Sequence, residues 1–178
     1  MKLSHATKII AAGALIYWPL AAFSHIVLET RAAPAGSVYK AVLQVGHGCQ
    51  GAPTTAIAVQ IPAGFDGVKP YPKAGWVITI QANTLITWTA ASKEAALQNA
   101  YFDEFPLRGK LPDASGPLWF KVLQTCSSEA GGASNNWADV PAAGVSTKGL
   151  ALPAALLEVT APVPLVAPAV AMPPEHKH

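Results

Sequence analysis

Charged side chains, sulfur-containing residues and long apolar runs are all scarce in this sequence of 178 residues. Lys, Arg, Asp and Glu make up 12% of the chain, about half the usual share. Without Lys2 and Lys8, which precede an apolar run, the 12 basic residues fall to the same number as the 10 acidic ones. Such a neutral balance gives no basic surface for nucleic acid or for an anionic membrane.

Motifs of the common hydrolases and nucleotide-binding enzymes are also absent. The sequence has no Gly-x-Ser-x-Gly elbow, no Walker loop and no His-Glu-x-x-His pair. It has five histidines, which are too few to argue for a Ser/His/Asp triad. We therefore expect a protein that is not an enzyme.

The apolar run at residues 9–22 predicts a secretory leader. Lys2 and Lys8 supply its basic start, and small residues, ending with Ser24, occupy the two positions that signal peptidase reads. The run, about 14 residues long, is shorter than the roughly 20 that span a membrane. We expect a signal peptide over residues 1–24, export to the periplasm, no retained transmembrane helix, and a mature chain that begins at His25.

Short strands separated by proline and glycine predict a single all-β domain over residues 25–160. Seven strands at regular spacing favour an antiparallel sandwich. In the second strand, alternation places Tyr39, Ala41, Leu43 and Val45 on a buried face. The predicted strands are His25–Thr30, Ser37–Val45, Thr55–Ile61, Trp76–Gln81, Thr84–Ala90, Tyr101–Leu111 and Leu118–Gln124, with a further one near Leu156–Val159.

The segments between these strands carry their own predictions. Ala33–Gly36 is typical of a turn, and Ser92–Asn99 is the one candidate helix, barely two turns long. Small polar residues from 127 to 136 predict a long loop that carries Trp137. Residues 161–178 form a Pro/Ala-rich tail, which we expect to be extended or flexible.

Cys49 and Cys126 are the two cysteines, and both lie in the part predicted to be exported. Disulfides persist in oxidising compartments, so we expect these two residues to be bonded to each other. The alternative is a soft copper site on free thiolates, but periplasmic oxidants would act on two isolated thiols.

Cleavage after Ser24 would give His25 a free α-amine beside its imidazole, and these two nitrogens can chelate one ion. Cu(II) prefers nitrogen and oxygen donors in a tetragonal plane and heads the divalent affinity order. Glu29 lies on the same strand face, but about 13 Å away along the backbone. Glu104 can approach from a neighbouring strand, and Asp103 offers a carboxylate on its other face. Each of these residues is equally consistent with an ordinary strand residue that binds no metal.

The other histidines and two of the tryptophans are weaker candidates. His47 lies in the glycine-rich connection Gly46–Pro53 and is more typical of a hydrogen-bonding loop residue than of a ligand. His176 and His178 have no scaffold to hold metal tightly. Trp76 is expected in the core, whereas Trp137 is expected either to cover the core or to wall a metal site, where its ring would shield the ion.

Several segments together carry a family resemblance along nearly the whole mature domain. They are His25–Glu29, His47–Cys49, Lys69–Trp76, Phe102–Phe105, Arg108–Pro112, Gln124–Cys126, and Trp137 with Val140–Pro141. In these residues the chain resembles the YcnI-like (DUF1775) copper-binding proteins. The resemblance implies an immunoglobulin-like β-sandwich, an exported location, and one Cu(II) held by His25 in a monohistidine brace. It further implies an acidic ligand, Glu104 or less favourably Glu29, with Trp137 close by.

Three functional hypotheses follow. The leading one is a periplasmic Cu(II)-binding carrier or metallochaperone, whose partner is a copper-transport membrane protein or another periplasmic copper chaperone. The second is a copper-dependent oxygenase, for which His47 alone could supply the third nitrogen. The third is a metal-free envelope interaction module, which a sandwich alone would equally support.

Overall fold

The computed structural model describes residues 25–127 and 133–163, and within these ranges the chain forms strands, turns and connections without a helix. The predicted leader, residues 1–24, and the tail beyond residue 163 lie outside the described residues, as do His176 and His178. The strands are β1 (Val27–Leu28), β2 (Ala32–Pro34), β3 (Val38–Val45), β4 (Thr54–Gln60), β5 (Asp66–Pro70), β6 (Trp76–Gln81), β7 (Leu85–Ala90), β8 (Asp103–Lys110), β9 (Gly116–Cys126), β10 (Ser134–Trp137) and β11 (Ala155–Thr160).

These strands form two sheets. The smaller sheet has the order β1-β3-β8-β5, and the larger has the order β2-β11-β9-β4-β7-β6. β11 pairs with β9 at Gly116–Phe120, whereas β10 pairs with β9 at residues 122–125, so the two strands continue one another along the same edge. The pairing of β2 with β11 is parallel, and the other pairs among these strands are antiparallel. The prediction of an all-β sandwich is confirmed.

Aromatic rings join the two sheets across the core. Trp88 of β7 and Phe105 of β8 are fully buried, and their ring centroids lie 5.8 Å apart in an edge-to-face arrangement. Trp76, which was predicted in the core, is only partly buried and packs against the same Phe105 ring at 5.1 Å from the edge of the core. Such pairs stabilise by about 0.5–1.5 kcal/mol beyond the burial of their area.

Strand alternation predicted the buried faces well. Tyr39, Ala41, Leu43 and Val45 of β3 are all buried, as their spacing of two residues requires. β9 follows the same rule, because alternate residues from Leu118 to Cys126 point inward. The exception in polarity is Gln124, which occupies an inward position and is fully buried.

The predicted helix at Ser92–Asn99 is wrong. This segment consists of bends and turns, and Leu97 exchanges two backbone hydrogen bonds with Thr54, at 2.8 and 3.0 Å. Ala96 and Leu97 are buried. A helix of two turns is marginal in water, so pairing with the start of β4 and burial of these side chains decide the conformation.

Two further predictions for the connections need correction. The predicted turn Ala33–Gly36 is shorter than expected, because Ala32–Pro34 forms β2 against the carboxyl-terminal strand β11. The predicted loop does not carry Trp137, because Ser134–Trp137 forms β10 on the free edge of β9. Both errors have the same cause, since strands distant in sequence supply the hydrogen-bond partners.

The predicted disulfide between Cys49 and Cys126 is confirmed, with the Cα atoms 5.9 Å apart and a sequence separation of 77. Cross-linking over such a span restricts the unfolded chain. Replacement of both cysteines by alanine should therefore lower the free energy of unfolding by about 4 kcal/mol in urea denaturation. Dithiothreitol should destabilise the wild-type protein and leave the double variant unchanged; equal stability of the variant and the oxidised wild type would contradict this prediction.

Tyr39 ties β3 to the turn that follows β1, since its hydroxyl donates a hydrogen bond to the carbonyl oxygen of Thr30 at 2.5 Å. Burial, assisted by the negative charge of Glu29, raises the pKa of Tyr39 to about 12. This group therefore stabilises the folded state fully below pH 10, and its contribution is lost as the pH rises from 10 to 12.

We expect the free energy of unfolding to fall by about 2–3 kcal/mol over this alkaline window. Tyr39→Phe should flatten that dependence, because it removes the ionisable group. Tyr71→Phe, at a tyrosine that is 38% exposed, is the matched control and should retain it. Denaturation at several pH values measures the slope, and an unchanged slope in Tyr39→Phe would refute the assignment.

Candidate functional site

Several of the residues singled out from the sequence meet at one end of the sandwich. β3 and β9 end there, and β1, β4 and β8 begin there, because Val45 pairs with Asp103 and Thr54 pairs with Cys126. The connection from β3 to β4, residues 46–53, crosses this end. His25 lies just before β1 and is half-buried.

His25 and His47 both contact the indole of Trp137. The centroid of the His25 ring lies 5.9 Å from that of Trp137, and the centroid of the His47 ring lies 6.4 Å from it. Both rings meet the indole edge-on, at interplanar angles of 68° and 65°. Trp137 is 3% exposed. The tryptophan is therefore a core residue whose ring forms a wall beside two histidines.

The side chain of Gln124 forms hydrogen bonds with the His47 loop, with β4 and with Trp137. Its Nε2 donates hydrogen bonds to the carbonyl oxygen of His47 at 2.7 Å and to the hydroxyl of Thr54 at 2.8 Å. Its Oε1 accepts one from the indole N–H of Trp137 at 3.0 Å. Because an indole N–H can only donate, this contact fixes which end of the amide is the oxygen. One buried side chain thus positions both the His47 loop and Trp137.

The loop that carries His47 is fastened at several other points. The backbone N–H of Gly48 donates to Oδ1 of Asn99 at 3.1 Å, and the disulfide anchors the next residue, Cys49, to the end of β9. A Cβ on Gly48 would lie 1.8 Å from the carbonyl oxygen of Ala52, so only glycine fits there. These constraints leave the His47 backbone little freedom.

The acidic candidates have other partners. Asp103 forms a salt bridge with Lys73 at 2.6 Å. Glu104 lies opposite Gln44 in the sheet and accepts a hydrogen bond from its side-chain amide at 3.3 Å. Glu29 is exposed to solvent. The structure thus gathers His25, His47 and Trp137, gives Asp103 and Glu104 other partners, and leaves Glu29 exposed.

Within residues 25–127 and 133–163, no three His, Cys, Asp or Glu side chains are grouped so that they could hold one ion. The thiols of Cys49 and Cys126 are bonded to each other. The α-amine of a chain cleaved before His25 would add a nitrogen donor beside the His25 imidazole. The imidazole and that amine fit Cu(II) by chemistry.

Comparison with known proteins assigns the family. The family model described as "Domain of unknown function (DUF1775)" matches residues 25–85 and 81–159. The chain belongs to the DUF1775 family. The matched region starts at His25, the residue whose amine the predicted cleavage would free. No curated protein matches this DUF1775 chain at a significant level.

Several solved structures are similar to this chain, and one of them, with a TM-score of 0.63, supports the fold. A Nocardia farcinica protein, described as uncharacterized and with an immunoglobulin-like fold, is 26% identical with a TM-score of 0.63, over 76% of this chain and 97% of that one. The seventh ScaB type I cohesin of Pseudobacteroides cellulosolvens is 11% identical with a TM-score of 0.46, over 86% and 97%. The third cohesin ScaC of Acetivibrio cellulolyticus is 12% identical with a TM-score of 0.43, over 77% of this chain and 99% of that one.

In the described part of this DUF1775 chain, no helix is long and apolar enough to cross a membrane.

Gln124 is the site residue that sequence reasoning missed. Its signal was present, since a polar residue stands at an inward position of β9 between Val122 and Cys126. A buried amide at such a position must bind other polar groups. Its partners lie in three other segments, and sequence alternation alone does not reveal them.

Gln124→Leu should lower the free energy of unfolding by about 3 kcal/mol. The substitution leaves the carbonyl of His47, the hydroxyl of Thr54 and the indole N–H of Trp137 buried without that partner. Gln60→Leu, at an exposed glutamine on β4, is the control and should change stability by less than about 0.5 kcal/mol. Urea denaturation followed by tryptophan fluorescence compares the two, and similar small effects would show that the network contributes little.

Proposed function

We propose that this DUF1775 protein is an exported, periplasmic Cu(II)-binding protein that carries copper and is not an enzyme. Signal peptidase cuts after Ser24, and His25 becomes the first residue. Its α-amine and imidazole then chelate one Cu(II), while Trp137 walls one side of the ion. Glu104, or else Glu29, is the candidate acidic ligand, and each would have to leave its present surroundings to approach His25.

The observation that carries this proposal is the position of His25. It stands at the beginning of the family match and at one end of the sandwich, with its ring against Trp137. A groove lined by His25, Arg31, Val145 and Thr147 opens beside it. A copper ion on His25 would therefore be bordered by a rigid indole on one side and would be reachable from solvent through the groove.

The choice of Cu(II) follows from the donors. An amine and an imidazole are nitrogen ligands, which suit Cu(II) in a tetragonal plane. Thiolates would favour Cu(I) or zinc, but both cysteines are in the disulfide. A disulfide-bonded protein in an oxidising compartment is consistent with the oxidised form of the metal.

A carrier must also meet the protein that supplies or receives its copper. Tyr101 and Phe102, directly before β8 at this end of the sandwich, are 64% and 60% exposed. Neighbouring exposed aromatic residues are typical of surfaces that contact other proteins. They favour docking of a copper-transport membrane protein or of another periplasmic copper chaperone beside the metal site.

The mature protein should bind one Cu(II) per chain, and binding should be lost in His25→Ala. A chain that begins at Ala21 should also lose tight binding, because it keeps the imidazole and moves the free amine four residues away from His25. Isothermal titration with Cu(II) measures both effects, and mass spectrometry of the exported protein identifies its first residue.

All these proteins should carry His176→Ala and His178→Ala, so that the tail contributes no binding. Glu104→Gln and Glu29→Gln, made separately, identify which carboxylate takes part. Tight binding of one equivalent by the chain that begins at Ala21, or an exported protein whose first residue is not His25, would refute the proposal.

A further inference from the structure

We propose that His47 is a second imidazole ligand of the copper ion that His25 binds. The centre would then have three nitrogen donors, namely the α-amine and ring of His25 and Nε2 of His47. This inference rests on the proposed function, because it presupposes that His25 holds copper. It deepens that function by naming a donor from a different segment of the chain.

Proximity is the first argument. Both histidine rings lie against one indole, at 5.9 and 6.4 Å from the centroid of Trp137. β1 also pairs antiparallel with β3, Val27 with Gln44 and Leu28 with Leu43. The segment just before β1, which carries His25, therefore lies beside the segment just after β3, which carries His47.

The hydrogen bonding of the His47 ring is the second argument. Its Nδ1 contacts the carbonyl oxygen of Gly48. A carbonyl oxygen can only accept, so Nδ1 carries the hydrogen in this contact and Nε2 of the neutral ring has a free lone pair. Histidine ligands in proteins commonly donate their other ring N–H to a carbonyl or carboxylate, which orients the ring toward the metal. In a neutral ring, the contact with Gly48 makes Nε2 the nitrogen that can bind a metal.

The rigidity of the loop is the third argument. Gln124 binds the carbonyl of His47, Asn99 binds the N–H of Gly48, and the disulfide holds Cys49. A donor held in this way loses little conformational entropy on binding an ion. A surface histidine needs none of these attachments, whereas a preorganised ligand depends on them.

The competing donors are the fourth argument. Asp103 is paired with Lys73, and Glu104 accepts a hydrogen bond from Gln44. The thiols are bonded to each other. His47 contacts the same Trp137 ring as His25 does, and its imidazole can supply a nitrogen ligand.

The number of imidazoles bound to Cu(II) tests this inference directly. In mature protein with His176→Ala and His178→Ala, His25 and His47 are the only histidines that remain. Pulsed EPR detects the remote ring nitrogen of each imidazole bound to Cu(II). We expect signals from two rings, and from one ring after His47→Ala, with a dissociation constant raised by at least about tenfold. His47→Gln keeps a polar side chain of similar size and should behave as His47→Ala does.

Asn99→Ala is the matched control, because it releases the loop from Gly48 and leaves both imidazoles in place. It should keep the two-ring spectrum. A one-ring spectrum for the unsubstituted site, with copper binding that still requires His25, would overturn the role of His47 and leave the proposed function intact. Failure of this protein to bind Cu(II) at all would overturn both. The ring count needs no His47 variant, so it remains decisive if His47→Ala does not fold.

Discussion

The side-chain amide of Gln124 is the interaction on which this end of the molecule depends. It reaches from near the end of β9 into three other segments and uses both its N–H groups and its oxygen there. Water makes hydrogen bonds to these partner groups in the unfolded chain. Without Gln124, folding would remove those hydrogen bonds and put nothing in their place. The sandwich can therefore close at this end only when the β3–β4 connection, β4 and β10 take these positions together.

The strands were largely predictable because their alternation is a local property. The sequence shows the inward face of β3, and the structure confirms that face; β9 alternates in the same way. The errors concern segments whose own sequences favour a strand only weakly or favour another structure. These segments are Ala32–Pro34, Ser92–Asn99 and Ser134–Trp137. Ser134, Asn135 and Asn136 are poor strand formers, yet the unoccupied edge of β9 pairs with them. Such pairing depends on chain segments that are distant in sequence.

The candidate site was predictable in its residue types and not in its geometry. His25, Trp137 and the disulfide could be chosen from chemistry and resemblance, because each residue type suggests its own function. The contacts of His47 with Trp137 and of Gln124 with both segments arise from tertiary packing. For the same reason Glu104 could not be placed. The sheet register sets it opposite Gln44, and strand identity alone does not predict this pairing.

The disulfide links the stability of the domain to the kind of metal that the proposed site selects. Cys49 lies two residues after His47, and Cys126 lies two residues after Gln124, so the bond closes the segments that position the site. The same bond removes two thiolates from the surroundings of His47. If these thiols were reduced, soft sulfur donors would stand beside the nitrogen donors and would favour Cu(I) or zinc. An oxidising compartment therefore both stabilises the fold and leaves nitrogen as the donor available to bind copper.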